Sequence, residues 1–132
     1  MYMLDTNICI FAIKNKPATV LKKLTSHDPS DICISAITYA ELRHGVEKSQ
    51  AKQRNDLALT LFLSAIDIIP FGERAAEEYG RVRSYLESKG TPIGPMDMLI
   101  AAHAKSLGMT IVTNNIREFK RIPDLKIEDW TI

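Results

Sequence analysis

Four acidic residues stand where short apolar runs give way to polar or helical ones. Asp5 follows Tyr2-Met3-Leu4, Glu41 lies one to two turns beyond Ile32-Cys33-Ile34-Ser35, Asp97 follows Gly94-Pro95, and Glu118 comes three residues after Asn115. Carboxylates gathered in one crevice repel one another, and without a counter-charge some take up protons instead of ionising. Divalent cations remove that penalty. Magnesium and manganese are hard ions that favour oxygen ligands and keep several waters, which can be activated or can bridge to a phosphate. A pair of such ions about 4 Å apart stabilises both the attacking and the leaving oxygen of an in-line phosphodiester displacement. The chemistry that fits this set is phosphodiester cleavage assisted by one or two Mg2+ or Mn2+ ions.

Each acid also has an innocent explanation. Asp5 suits the N-cap of a following helix, and Glu41 stands three residues after Thr38, the spacing of a capping box. Asp97 would interact favourably with the positive end of a helix dipole, an effect that also keeps it ionised. Glu118 sits beside Arg117, Lys120 and Arg121 and reads equally as a surface charge.

The elements that must position these residues are set by the apolar pattern. Tyr2-Met3-Leu4 reads as a strand, Asp5-Thr6-Asn7 as a polar turn, and the next apolar run as a helix. A second helix spans residues 17 to 26, with Pro17 in its first turn. Ile32 to Ser35 reads as strand two and Ile37 to Val46 as a helix. Residues 51 to 66 place Leu57, Ala58, Leu61, Phe62 and Ala65 on one face; residues 73 to 88 do the same with Ala75, Tyr79, Val82 and Leu86. The two are expected as an antiparallel pair or as long arms, with a short strand at Asp67 to Phe71 between them. Pro95 opens a helix that Gly108 ends. Met109 to Thr113 forms strand four, Ile116 to Phe119 a helical turn, and Lys126 to Glu128 a fifth strand. Strands alternating with helices imply a parallel sheet covered on both faces, whose functional sites lie beyond the carboxyl ends of the strands.

Composition places the chain among ordinary globular proteins. It has 132 residues, 45% of them hydrophobic and 25% charged, which is the size of one domain spanning 1–132. No apolar run approaches the roughly 18 to 20 residues of a membrane span, and no export signal is legible. Cys9 and Cys33 belong to no metal-ligand spacing and read as buried thiols in a reducing cytoplasm. A net charge of +1 leaves the partner open.

Four motifs in register resemble the PIN domain, and more narrowly the VapC toxins: Met3-Leu4-Asp5-Thr6-Asn7, Ile37-Thr38-Tyr39-Ala40-Glu41-Leu42, Pro95-Met96-Asp97-Met98-Leu99-Ile100-Ala101-Ala102, and Val112-Thr113-Asn114-Asn115-Ile116-Arg117-Glu118-Phe119. The resemblance implies a three-layer α/β/α fold with a central, mostly parallel sheet of four to five strands. It implies metal binding by Asp5, Glu41 and Asp97, hydroxyls from Thr6 and Thr113 nearby, and Asn7 bracing the loop. Where many PIN domains carry a fourth aspartate this chain has the neutral Asn115, and Glu118 is the candidate for the missing acid. It further implies a toxin with endoribonuclease activity on structured RNA, with the anticodon arm of initiator tRNA as the first expectation. The partners so implied are a VapB-type antitoxin whose C-terminal segment lies over the crevice, operator DNA reached only through that antitoxin, and a second toxin copy.

Arg43, Arg117, Lys120 and Arg121 lie near the expected site elements as candidates for RNA phosphate contacts, against the alternative of a solvated surface. His103 reads as structural. Two rival classes are weighed. A phosphotransfer domain also groups acids at strand ends, but its phosphatase form wants an aspartate at position 7, where Asn7 stands. A noncatalytic RNA- or antitoxin-binding module would have lost its fourth acid.

Overall fold

A computed structural model describes all 132 residues. Five strands form one sheet: β1 (Tyr2–Leu4), β2 (Ile32–Ser35), β3 (Asp67–Ile69), β4 (Thr110–Val112) and β5 (Ile127–Glu128). Their order is β3-β2-β1-β4-β5, and every pairing is parallel, with Leu4 opposite Ile34 on one side and Val112 on the other. The chain steps outward from β1 to β3, then returns across the sheet to lay β4 on the other side of β1. The reversal between β1 and β4 opens a crevice at their carboxyl ends, where open parallel sheets bind ligands.

Seven helices cover the two faces: α1 (Thr6–Lys14), α2 (Ala18–Thr25), α3 (Ala36–Glu47), α4 (Lys52–Leu63), α5 (Glu73–Ser88), α6 (Pro95–Ser106) and the single turn α7 (Ile116–Phe119). Alternation along the strands sends neighbouring side chains to opposite faces. Met3, Cys33 and Ile111 join Val82 and Leu86 of α5, Ile100 and Ala104 of α6 and Phe119 of α7 in one apolar cluster. Leu4, Ile32, Ile34 and Val112 join Ile8, Val20, Leu42, Leu59 and Trp130 in the other. Helices on both faces make the α/β/α layering expected from the sequence. No helix is long and apolar enough to cross a membrane.

Four local expectations are corrected. There is no polar turn after β1, because Asp5 caps α1 directly and Thr6 is already helical. α3 begins at Ala36 under the cap of Ser35, whose Oγ accepts from the Ile37 N–H, so Thr38 caps nothing. α4 and α5 are not an antiparallel pair: Leu59 of α4 packs in one cluster and Val82 and Leu86 of α5 in the other, on opposite sides of the sheet. The expected inner stripe of α4 also fails, since Leu57 and Leu61 are 60% and 65% exposed while Leu59 is buried. Leucine, alanine and phenylalanine occupy most of that helix's circumference, so periodicity alone does not define its inner side. α5 packs instead along α6, with Lys105 bonded to Glu78 at 3.4 Å.

Candidate metal centre

Asp5 is fixed by two backbone hydrogen bonds. Its N–H donates to the Val112 carbonyl at 3.0 Å, continuing the ladder between β1 and β4 by one residue. Its Oδ1 accepts from the Ile8 N–H at 3.0 Å, capping α1. The capping role read from the sequence is therefore real and leaves room for a chemical one, since a carboxylate has lone pairs left after one amide is satisfied. Thr113 follows β4, is fully buried, and turns its hydroxyl toward Asp5. That hydroxyl also accepts from the Asn115 N–H at 2.9 Å, shaping the turn after β4.

Around Asp5 stand the other acids. Burial is the main cause that lifts the Asp5 carboxyl from an ordinary value near 3.8 to about 6; the Thr113 and Ile8 hydrogen bonds oppose it, and the charges of Asp97 and Glu41 add to it. Asp97, in the first turn of α6, is raised by burial and by the charges of Glu118 and Glu41, against a lowering hydrogen bond from Asn115. The four acids thus act on one another across a single crevice, and no cationic side chain is among the groups that shift Asp5 or Asp97.

Two side chains of the same motifs hold the outer pair. Thr6 donates its hydroxyl to Glu41 Oε1 at 2.5 Å. Asn115 spreads its Nδ2 between Glu118 Oε2, at 2.5 Å, and Asp97 Oδ2, at 3.4 Å. The neutral residue at the expected fourth-acid position is therefore a donor that ties Glu118 to Asp97, and Glu118 is the charge that enters the crevice. The capping box drawn from Thr38 and Glu41 does not form: Glu41 is taken by Thr6, and the buried Thr38 Oγ1 has no partner.

As they stand, Asp5, Glu41 and Asp97 do not form a closed ligand set. Glu41 Oε1 accepts from the Thr6 hydroxyl and Glu118 Oε2 from the Asn115 amide nitrogen. The donor set nevertheless fits a hard ion. It consists of carboxylate and hydroxyl oxygens only, the thiols of Cys9 and Cys33 being buried and pushed upward by burial, Cys33 to about 11. Asn7 is also corrected: it is exposed in the first turn of α1 and has no loop to brace.

The basic candidates divide. Arg43 is engaged with α4, its Nη1 lying 2.6 Å from Asp56 Oδ1, and Arg121 donates to the Pro92 carbonyl at 3.1 Å, tying α7 to the loop before α6. Arg117 and Lys120 are exposed on α7 and near it. Beside Glu41 an apolar groove of about 250 Å³ runs between α1, α3 and α4, lined by Ile10, Ile13, Leu42, Val46 and Leu59 among others. Sequence reasoning missed Ser35, whose signal was a serine just before a helical run, and the buried partner it finds in His103.

Comparison with known proteins gives concordant results. The family model for the PIN domain matches residues 2–125. The chain is 48% identical over 129 residues to the tRNA(fMet)-specific endonuclease VapC of Salmonella typhimurium, covering 98% of this chain and 97% of that one. It is 47% identical over 131 residues to Ribonuclease VapC2 of Rickettsia felis, covering 98% of each. Among solved structures it matches VapBC2 from Rickettsia felis bound to a promoter DNA fragment, with a TM-score of 0.91, 46% identity and 98% of each chain covered. It matches DNA-bound VapBC from Salmonella typhimurium with a TM-score of 0.92 and 48% identity, over 98% and 97% of the two chains.

Proposed function

The chain belongs to the PIN-domain family, within its VapC ribonucleases, and from that premise we propose that it is the toxin of a toxin-antitoxin pair: an endoribonuclease that cuts structured RNA, initiator tRNA first, using Mg2+ or Mn2+. The observation that carries the reading is the convergence of Asp5, Glu41, Asp97 and Glu118 on one crevice, with Asp5 pushed up to about 6. Acids so placed exert an attraction on a divalent cation that no neighbouring side chain satisfies. Asp5, Asp97 and Glu41 would hold the ion and Glu118 would complete the acid set. When bound, the ion supplies a lowered-pKa water and neutralises charge developing on the phosphate.

The protein's own residues do the remaining work. The β1–β4 ladder and the Ile8 cap fix Asp5, Thr6 orients Glu41, and Asn115 keeps Glu118 beside Asp97. Arg117 and Lys120 meet the RNA backbone. The apolar groove next to Glu41 receives a segment of a VapB-type antitoxin, which places the inhibitor against the acids and leaves operator DNA to the antitoxin's other end. A second toxin copy completes the complex, which acts in the cytoplasm.

The test is incubation of the purified protein with total cellular RNA, with magnesium, with chelator, and as Asp5→Asn, followed by mapping of new ends. A few discrete cuts that require both metal and Asp5, concentrated in the initiator tRNA anticodon arm, are expected. Equal cutting in chelator, or by the substituted protein, defeats the reading.

A further inference from the structure

Cleavage by the acids of this crevice needs Glu41 and Asp97 at a fixed separation, yet the two ride on different helices, α3 and α6, which otherwise meet through apolar packing around Ile37. One buried polar contact joins them away from the acids. His103, 1% exposed, is on α6 six residues beyond Asp97, and its Nδ1 lies 2.8 Å from the Oγ of Ser35, six residues before Glu41 and fully buried. Ser35 is also the cap of α3, its Oγ accepting from the Ile37 N–H at 3.0 Å. With that lone pair used, the hydroxyl hydrogen is free to go to Nδ1, which leaves the ring's own proton on Nε2. Pro70 lies beside the ring, and the Phe71 ring closes it off edge-on at 5.3 Å. One imidazole thus joins the cap of α3, the body of α6 and the segment leaving β3.

A histidine that merely fills space needs no such partner, and a buried hydrogen bond fixes one relative placement of its elements more tightly than apolar packing does. We propose that His103 is a positioning residue of the metal centre: through its hydrogen bond to the Ser35 cap it sets the spacing between Glu41 and Asp97. The proposal rests on the nuclease reading, and it concerns geometry, since the ring touches neither acid.

The test compares the unaltered full-length chain with His103→Leu, His103→Asn, Ser35→Ala and the double variant S35A/H103L. Mn2+ affinity by titration calorimetry, melting temperature, and kcat and KM for RNA cleavage are measured for each. Loss of a partner that orients a metal's ligands commonly costs about 10- to 100-fold in affinity, and H103L is expected in that range, with kcat reduced and KM for RNA unchanged. H103N, which keeps an acceptor near the Nδ1 position, recovers most of the Mn2+ affinity while melting as low as H103L. The double variant is no weaker than the worse single one. An H103L protein that melts lower but binds Mn2+ and cleaves like the unaltered chain overturns the proposal, as do losses that add in the double variant. If H103L does not fold, S35A decides: about tenfold weaker Mn2+ binding supports the proposal, and unchanged binding overturns it. Unaltered protein that neither binds Mn2+ nor cuts RNA overturns the nuclease reading and this proposal together, a result distinct from a normal chain beside an equally normal H103L.

Discussion

Asp5 combines two demands that conflict at neutral pH. It is buried and capped, which a neutral group tolerates, and it faces Asp97 and Glu41, which makes its ionisation costly. Its folded pKa of about 6 exceeds the ordinary value near 3.8, so between those limits the folded state binds more protons than the unfolded one. Stability of the metal-free protein therefore falls as pH rises from about 4 to about 6, by up to about 3 kcal/mol, and stays lowered above that window. Asp97, also raised, acts in the same direction. Thermal melts in chelator across that range are expected to show the decline. Asp5→Asn, which keeps an oxygen for the Ile8 N–H, should flatten the decline and melt higher than the unaltered chain at pH 7, while losing cleavage. If the slope survives in the asparagine variant, Asp5 is not its source. Added Mn2+ is expected to stabilise the unaltered protein far more than the variant, because a ligand stabilises only the state that binds it, and Mn2+ binding should weaken as pH drops through about 6.

At the level of elements, the helices differ in what their side chains are for. Leu59 is buried at 2% exposure in α4, whereas Leu57 and Leu61 on the same helix face outward. Leu59→Ala should cost about 2 to 4 kcal/mol and the other two alanine substitutions less than about 0.5 kcal/mol, read by urea unfolding. Equal losses at all three positions would mean that α4 is turned differently. Arg43 bridges α3 to α4 through Asp56 in a half-exposed pair. R43A and D56A should each lower stability by at most about 1 kcal/mol and leave the salt dependence of RNA binding unchanged. Arg117→Ala and Lys120→Ala, by contrast, should each reduce the slope of log affinity against log salt by about 1. A normal slope in both would remove α7 from the RNA path.

At the scale of the whole molecule, the proposed function puts cutting and inhibition at one end of the sheet. The reversal of strand order between β1 and β4 opens the acidic crevice, and the groove lined by Ile10, Ile13, Leu42 and Val46 reaches Glu41 from the side. Ile13 is half-buried on the groove wall. Ile13→Glu should weaken capture of a VapB-type antitoxin by at least about tenfold, the order expected for losing one well-packed apolar anchor, without changing the rate at which the free toxin cleaves RNA. The antitoxin affinity is read by calorimetry and the cleavage on isolated tRNA. Unaltered antitoxin affinity would place the inhibitor elsewhere.

Much of this arrangement is local and was therefore legible in the sequence. Short apolar runs broken by Asp5, Ser35, Pro70 and Thr113 specify where strands end, and a parallel sheet gathers the residues just past those ends on one side. The motifs around Asp5, Glu41 and Asp97 marked the acids, and the asparagine at position 115 marked a departure beside which Glu118 stands, 2.5 Å from the Asn115 Nδ2. The linear pattern left undecided whatever depended on which surfaces meet. α4 is apolar on most of its circumference, so only packing into the cluster that holds Ile34 and Leu42 chooses Leu59 as its inner residue. Thr38 and Ser35 were both chemically able to cap a helix, and the first turn of α3 selects Ser35. Arg43 was free to reach phosphate until Asp56, 13 residues away, was brought beside it. The bond between His103 and Ser35, 68 positions apart, exists only because α6 crosses the end of β2. Local sequence carries preferences for cap, turn and periodicity; the partner of a buried polar group is a long-range fact that only the assembled layers supply.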